Sequence, residues 1–189
     1  MIQPYKEMIT MIEAWSAWEA GLLFWMQQHI RSDMATVFWE EITDLGNAGM
    51  IWIILAVGLI VYKKTRVVGI TAALAILLNV VVTNGILKLW VARPRPFTTF
   101  DALIPLIAPP PDFSFPSGHS ACSFAVAFVM YRLLPKKYSI PALVLAALIG
   151  LSRLYLGVHY PTDVLAGASI GCLAAEMAIW MRGKIMRSA

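Results

Sequence analysis

The chain has 189 residues, of which 59% are hydrophobic and 14% charged, and its mean hydropathy is +0.71. A soluble domain carries about 25% charged residues, so the composition excludes an ordinary soluble protein and favours one compact helical protein embedded in a membrane. The formal net charge of +4 does not indicate nucleic-acid binding, because the basic residues cluster in short connections between apolar segments.

Residues 1–45 are predicted to form an amphipathic region of their own, ahead of a transmembrane domain at residues 46–189. Large apolar side chains recur in this region at helical spacing: Met8, Met11, Ile12, Trp15, Trp18, Leu22, Trp25 and Met26. Polar residues fall between them, and tryptophan favours the boundary between bilayer and water. We therefore expect an interfacial helix that lies along the membrane surface. A sixth helix that spans the bilayer is the alternative.

Five apolar segments follow, and the predicted architecture is an all-α bundle of five transmembrane helices. The segments run over residues 46–62, 67–87, 120–134, 140–156 and 164–181. A spanning helix needs about 17–25 residues, so the first segment is at the short end of this range. The third segment is short unless the turn that precedes it is included.

Basic residues in the connections predict the orientation of this bundle. One set of connections holds nine of them: Lys63, Lys64, Arg66, Arg132, Lys136, Lys137, Arg182, Lys184 and Arg187. Cytoplasmic loops carry an excess of Lys and Arg, so this side is predicted to face the cytoplasm. The opposite helix ends, where three further charged clusters lie, are then predicted to face the outside of the cytoplasmic membrane.

The first of these clusters follows the second span and contains Lys88 and Arg95. Pro94 and Pro96 end the helix there, because proline lacks an amide hydrogen and clashes with the preceding turn. Basic side chains at helix ends often only extend toward lipid headgroups. For Arg93 this interpretation is as well supported as a functional one.

The second cluster, Ser117, Gly118 and His119, directly precedes the third span. Serine is a preferred N-cap residue, and the first amides of the helix after it have no partner within the helix. Glycine beside the cap allows an anion to approach these amides closely. This arrangement is typical of an anion-binding helix N-terminus, although a plain cap beside an unrelated histidine is the alternative.

The third cluster begins with Arg153 at the end of the fourth span and continues to His159 and Asp163 at the start of the fifth. Asp163 is four residues after His159, close enough to accept a hydrogen bond from its ring. A carboxylate that orients one ring nitrogen leaves the other free to attack a substrate. Charge at membrane depth is costly and is seldom retained without a function. Together the clusters predict a site that holds and cleaves a phosphate ester.

The spacing of the three clusters resembles the signature of the type 2 phosphatidic acid phosphatase superfamily. Its parts are Lys88 with six residues before Arg95-Pro96, then Pro116-Ser117-Gly118-His119, then Ser152-Arg153 with five residues before His159 and three more before Asp163. All three parts agree in order and spacing. The region up to about Asp44 carries no comparable match.

The resemblance implies which residues bind the phosphoryl group. Lys88, Arg95 and Arg153 are expected to clamp its oxygens, because cations form strong hydrogen bonds with phosphate. Ser117 and the amide of Gly118 are expected to complete the cradle.

The resemblance also implies three catalytic roles. His159 is expected to attack phosphorus in line and become a phosphohistidine, while Asp163 orients its ring and stabilises its positive charge. His119 is expected to protonate the leaving oxygen and then to activate water for the second step.

No metal or other cofactor is predicted, because cations around the transferring group can stabilise its charge. Asp101 and Asp112 lie in a proline-rich connection and are predicted to be solvated. Cys122 and Cys172 fall inside apolar segments and are too few for a disulfide framework or a thiolate metal site, so ordinary packing is predicted for both.

The function implied by the resemblance is hydrolysis of a lipid phosphate or diphosphate in the bilayer. Undecaprenyl diphosphate is the leading candidate substrate, and phosphatidylglycerophosphate, phosphatidic acid and lipid A phosphates are alternatives. Transfer of the phosphoryl group to another lipid or a sugar would use the same residues. A membrane protein that only binds an anion is the alternative from a different class. The sequence does not choose a lipid tail, an acceptor or an oligomeric state.

Overall fold

The computed structural model describes the backbone of residues 3–188 and the side chains of residues 15–184. All elements in this part of the chain are helical, which confirms the predicted fold class. The helices are α1 (Gln3–His29), α2 (Asp33–Leu45), α3 (Met50–Val61), α4 (Arg66–Val80), α5 (Lys88–Val91), α6 (Pro96–Thr99), α7 (Gly118–Leu133), α8 (Lys136–Tyr155) and α9 (Pro161–Ser188). Of the predicted apolar stripe, the side chains of Met8, Met11 and Ile12 lie outside the described ones.

Three helical stretches within the described residues are long and apolar enough to cross a membrane: Arg66–Thr99, Lys136–Tyr155 and Pro161–Lys184. A fourth results if α2 and the segment Asn47–Val61, which meet at an angle of 42°, are taken as one span. Helix α7 has 16 residues. The chain is a multi-pass membrane protein, and the predicted count of five spans exceeds what length and composition establish.

Helix α7 packs against α9, α8 and α4, and glycines bring α7 and α9 into close contact. A Cβ atom on Gly171 would lie 2.3 Å from the carbonyl oxygen of Ala121, and one on Gly167 would lie 2.5 Å from that of Ser117. Glycines four residues apart allow this close approach of membrane helices. The N-terminus of α7 consequently lies beside the first turns of α9.

A π-helical segment, Val81–Leu87, joins α4 to α5 directly and ends immediately before Lys88. Helix α5 then ends at Ala92, whose left-handed backbone (φ 46°) and the following Pro94 prevent its continuation. Wide π turns inside helices are frequent at functional sites. Here the segment directly precedes the first charged cluster.

The chain breaks sharply between α2 and α3, where Gly49 has a left-handed backbone (φ 69°). A Cβ atom on this glycine would lie 2.8 Å from the sulfur of Cys122 in α7, so the position requires glycine for space as well as conformation. The break brings Asn47 against the N-terminal part of α7, where its side chain meets His119.

Helix α1 lies across the end of the bundle where α8 ends and α9 begins. Leu23 packs with Tyr160, and the side-chain amide of Gln27 donates to the carbonyl oxygen of Ala102 at 3.0 Å. The guanidinium of Arg31 donates to the carbonyl oxygen of Ile104 at 2.7 Å. The large side chains on the other face of α1 are exposed, among them Trp15, Trp18 and Trp25.

Candidate active site

Six of the eight residues predicted to form the site line one cavity of about 790 Å³. They are Lys88, Arg95, Gly118, His119, Arg153 and His159. The cavity lies where several helix ends meet: Arg95 precedes the first turn of α6, Arg153 lies in the last turn of α8, and Gly118 begins α7. Residues more than 60 positions apart in sequence therefore surround one space.

His159 and Asp163, which were predicted to form a hydrogen bond, lie near each other at a long separation. The Nδ1 atom of His159 lies 3.5 Å from Oδ2 of Asp163, and both side chains are buried. The Nε2 atom of His159 lies 3.3 Å from Nη1 of Arg95, which can only donate. Nε2 is therefore the unprotonated nitrogen in this arrangement, and it belongs to a side chain that lines the cavity.

Burial lowers the pKa of His159 and the hydrogen bond with Asp163 raises it, while the charges of Arg95 and Arg153 lower it further. The result is a pKa of about 4. The imidazole is thus neutral at neutral pH, which is the form that can act as a nucleophile.

Ser114 is a buried residue near His159 that the sequence analysis did not include. Its hydroxyl donates to Oδ2 of Asp163 at 2.5 Å and lies 3.5 Å from Nδ1 of His159. The amide of Tyr160 donates to the same carboxylate oxygen at 2.9 Å. Asp163 is therefore held in place by several donors, and its orientation does not depend on His159 alone.

Ser117 caps α7 as predicted and lies behind the cavity wall. Its hydroxyl oxygen accepts from the amide of Ser120 at 3.4 Å and is 3.1 Å from the hydroxyl of Ser120. The side chain is buried, and Ser117 is not among the residues that line the cavity. The hydroxyl caps the helix, and the cavity wall at this point is formed by Gly118 and His119.

His119 is connected to two residues at the end of α2 that the sequence analysis did not single out. Its Nε2 atom lies 3.0 Å from Oδ1 of Asn47. The side-chain nitrogen Nδ2 of Asn47 donates in turn to Oδ1 of Asp44 at 2.9 Å. Gly46 makes this approach possible, because a Cβ atom there would lie 2.9 Å from the imidazole ring. The second histidine therefore also has an oriented ring.

Asp112 is exposed, as predicted, and it is also bound to cations, which the sequence pattern did not indicate. Its two carboxylate oxygens pair with Lys88 and Arg95, and its carbonyl oxygen accepts from Nε of Arg95 at 2.8 Å. Burial alone would raise the pKa of Asp112, but the hydrogen bonds from Lys88 and Arg95 lower it to about 2. The proline-rich connection contributes Ile107, Ala108, Pro110 and Pro111 to the cavity lining, and this brings Asp112 to the two cations. Asp101 is also exposed, as predicted.

Arg93 is bound inside the protein and does not simply extend toward headgroups. Its Nη1 atom donates to Oδ1 of Asp163 at 2.7 Å, and its Nη2 atom pairs with Glu19 at 2.6 Å. Glu19 is fully buried. No sequence motif marks Glu19, since a lone glutamate in an amphipathic helix is ordinarily part of its solvated face.

Arg153 and the apolar wall complete the cavity. Nη1 of Arg153 donates to the hydroxyl of Thr43, and within the described residues its buried Nε has no hydrogen-bond partner. Ile53, Ile76 and Val80 of α3 and α4 form an apolar part of the wall. The side chains of residues 15–184 contain no group of three His, Cys, Asp or Glu residues arranged to hold a metal ion.

The chain is similar in sequence and in fold to several known proteins. The model of the PAP2 superfamily matches residues 69–187. An undecaprenyl-diphosphatase of Sulfolobus acidocaldarius is 34% identical over 64% of this chain and 58% of its own length. Phosphatidylglycerophosphatase B of Bacillus subtilis is 39% identical over 70% of this chain and 68% of its own length. The crystal structure of Aquifex aeolicus LpxE superposes with a TM-score of 0.74 at 29% identity, covering 84% of this chain and 93% of LpxE.

Proposed function

The chain belongs to the PAP2 superfamily, and from this membership and the geometry of its site we propose that it hydrolyses lipid phosphates or diphosphates through a phosphohistidine. One observation carries the proposal: the imidazole of His159 and three cations line a single cavity that also has an apolar wall. A phosphate needs the cations, a phosphoryl transfer needs the nucleophile, and a lipid tail needs the apolar wall.

The first step forms a bond between Nε2 of His159 and phosphorus and breaks the bond to the leaving oxygen. The leaving oxygen takes a proton from His119. Lys88, Arg95 and Arg153 neutralise the charge on the phosphoryl oxygens throughout, which is the main contribution that a protein makes to phosphoryl transfer.

The second step releases phosphate from the phosphohistidine. His119, now neutral, takes a proton from a water molecule that attacks phosphorus, and the bond to Nε2 breaks. Asp163 stabilises the positive charge that His159 carries in the intermediate. The atoms and charges balance without any further group.

Undecaprenyl diphosphate is the substrate we favour. The archaeal relative of that name and the apolar wall of Ile53, Ile76 and Val80 support it, since a long prenyl tail needs an extended apolar surface beside the cations. Phosphatidylglycerophosphate is the second candidate, because the relative named for that activity has the higher identity of the two.

We infer that five helices span the cytoplasmic membrane and that the site faces outward. The connection with Lys63 and Lys64 and the first turn of α8, with Lys136 and Lys137, lie at the helix ends away from the cavity, as expected for basic residues on the cytoplasmic side. The described contacts of helix α1, from Ser16 to Gln27, lie at the cavity end, and its tryptophans are exposed, which supports an interfacial position over a sixth span.

The test is release of inorganic phosphate by the detergent-purified protein in the presence of chelator. Undecaprenyl diphosphate, phosphatidylglycerophosphate and phosphatidic acid are compared, beside His159→Ala. Release that falls by at least about 10⁴-fold in the variant, with an unchanged thermal transition, is expected for loss of a nucleophile. Release that continues in folded His159→Ala would refute the covalent step, and no release from any lipid would refute the phosphatase.

A further inference from the structure

A buried chain of charges extends from Asp163 away from the cavity. Asp163 accepts from Nη1 of Arg93 through Oδ1 at 2.7 Å, and Nη2 of the same guanidinium donates to Oε2 of Glu19 at 2.6 Å. Both carboxylates are fully buried and the Arg93 side chain is 15% exposed. Charges this far from water remain ionised only when they are paired, so the three groups depend on one another.

Glu19 is also attached directly to the turn that contains the candidate catalytic residues. Its second oxygen, Oε1, accepts from the amide of Thr162 at 2.7 Å. Arg93 donates in addition to the hydroxyl of Thr162 at 2.8 Å and lies 3.8 Å from the centre of the Tyr160 ring. A planar guanidinium can make all these contacts at once, whereas a lysine ammonium cannot.

The arrangement of Asp163, Arg93 and Glu19 determines the net charge next to His159. Arg93 occupies Oδ1 of Asp163 and leaves Oδ2 for the contacts on the side of His159. A lone cation beside Asp163 would offset the negative charge that the phosphohistidine needs. Glu19 balances Arg93, so the group of three keeps one net negative charge next to the imidazole.

We infer that Glu19 and Arg93 are positioning residues for the reaction, acting on His159 through the orientation and charge of Asp163. The inference rests on the proposed function. It also assigns a role to a segment that the family match does not cover, since Glu19 lies on α1 and the match begins at residue 69. Docking of α1 therefore completes the site.

The test compares Glu19→Gln with Gln27→Ala, which also weakens the docking of α1 but lies outside the charge chain. Gln27 bonds to Ala102 and Ile104 in the proline-rich connection, so its loss reports the structural effect of loosening the helix. Steady-state phosphate release is measured with undecaprenyl diphosphate and, if it is not cleaved, with phosphatidylglycerophosphate or phosphatidic acid. The thermal transition of each variant is recorded in the same detergent.

Glu19→Gln is expected to lower kcat by about 10- to 100-fold while KM changes by less than about 3-fold, as expected for loss of a charged hydrogen bond that acts in the transition state. Gln27→Ala is expected to keep kcat within about 2-fold of the wild type even where the thermal transition falls, because a neutral contact outside the charge chain has no part in the transition state. Arg93→Lys should reproduce the kcat loss, because it keeps the charge and loses one bridge. It also carries the test alone should Glu19→Gln fail to fold.

Unchanged kcat in Glu19→Gln, or in Arg93→Lys where that variant carries the test, would overturn the inference, and so would an equal kcat loss in Gln27→Ala. The failure of the proposed function would be distinct, since the wild type and Gln27→Ala would then release no phosphate from any of the three lipids.

Discussion

Asp112 binds Arg95 through both its backbone and its side chain. The carbonyl oxygen of Asp112 accepts from Nε of Arg95 at 2.8 Å, and its carboxylate pairs with Nη2 of the same guanidinium. The second carboxylate oxygen pairs with Lys88. The Asp112 carboxylate therefore pairs with two of the three cations that the proposed mechanism assigns to phosphate. An incoming phosphate has to displace this carboxylate.

Replacing Asp112 with asparagine is expected to strengthen phosphate binding. The neutral amide competes less well for the two cations, so the inhibition constant for inorganic phosphate should fall by about 3- to 10-fold at pH 7, the range expected for weakening a charge-assisted hydrogen bond. This inhibition constant is measured from product inhibition by phosphate during lipid hydrolysis. Asp101→Asn is the matched control, because Asp101 lies in the same connection and is exposed. An equal constant in Asp112→Asn and wild type would contradict the competition.

The pKa of about 4 for His159 predicts the acid limit of activity. Attack requires a neutral imidazole. As the pH is lowered, kcat/KM should therefore stay constant down to about pH 4 and then fall about tenfold per pH unit. The profile is measured for the wild type with a substrate whose phosphate ionisation is determined separately. An acid limb near pH 6.5, the ordinary pKa of histidine, would show that the site does not keep His159 neutral.

The same shift predicts how stability depends on pH. Because the pKa of His159 is lower in the folded protein than in the unfolded chain, the unfolded chain binds more protons between about pH 6.5 and pH 4. Stability is therefore full above pH 6.5 and falls as the pH is lowered through this window. The thermal transition should follow this course in the wild type and depend less on pH in His159→Asn. Identical slopes in the two proteins would exclude His159 as the source.

Asn47→Ala is expected to impair protonation of the leaving group. Asn47 holds the ring of His119 through a bond of 3.0 Å, and its loss should lower kcat for lipid substrates by about 10-fold, as loss of about 1.4 kcal/mol would. An aryl phosphate, whose leaving group needs no proton, should be cleaved almost as well as by the wild type. His119→Ala should show the same dependence on leaving group. Equal losses on both substrates would indicate that Asn47 acts in some other way.

Gly171→Ala is expected to disturb the contact between α7 and α9. The added Cβ atom would lie 2.3 Å from the carbonyl oxygen of Ala121, so the helices must separate, at a cost of about 1–3 kcal/mol. Both the thermal transition and activity should fall, because Gly118 and His119 begin α7 while Asp163 lies in the first turn of α9. Gly183→Ala is the control on the same helix, since nothing lies within 4 Å of its added Cβ atom. Equal stability of the two variants would contradict the tight contact.

The residues of the signature could be predicted because their spacing is local. Ser117 caps a helix, and His159 and Asp163 are four residues apart, so short-range geometry already determines their relation. The helical fold class followed from the apolar segments for a similar reason. The number of spans was harder to predict, because α2 and α3 meet at a bend and α7 is only 16 residues long.

The partners of these residues could not be predicted, because they come from distant and unmarked positions. Glu19 and Asn47 lie on segments without a motif, and Asp112 lies in a proline-rich connection whose composition suggests exposure. Nothing in their local sequence distinguishes them from surface residues. Arg93 left two interpretations open, and its contacts with Glu19 and Asp163 in the folded protein decide between them.

The membrane class, the helical fold and the chemical type of the site could be inferred from the sequence, because apolar length, helix periodicity and motif spacing are local properties of the chain. Only the folded arrangement fixes which charges are paired with one another. Pairing depends on distances between side chains on different helices, and in a buried site an unpaired charge is so costly that the packing of α1 and of the proline-rich connection selects the partners.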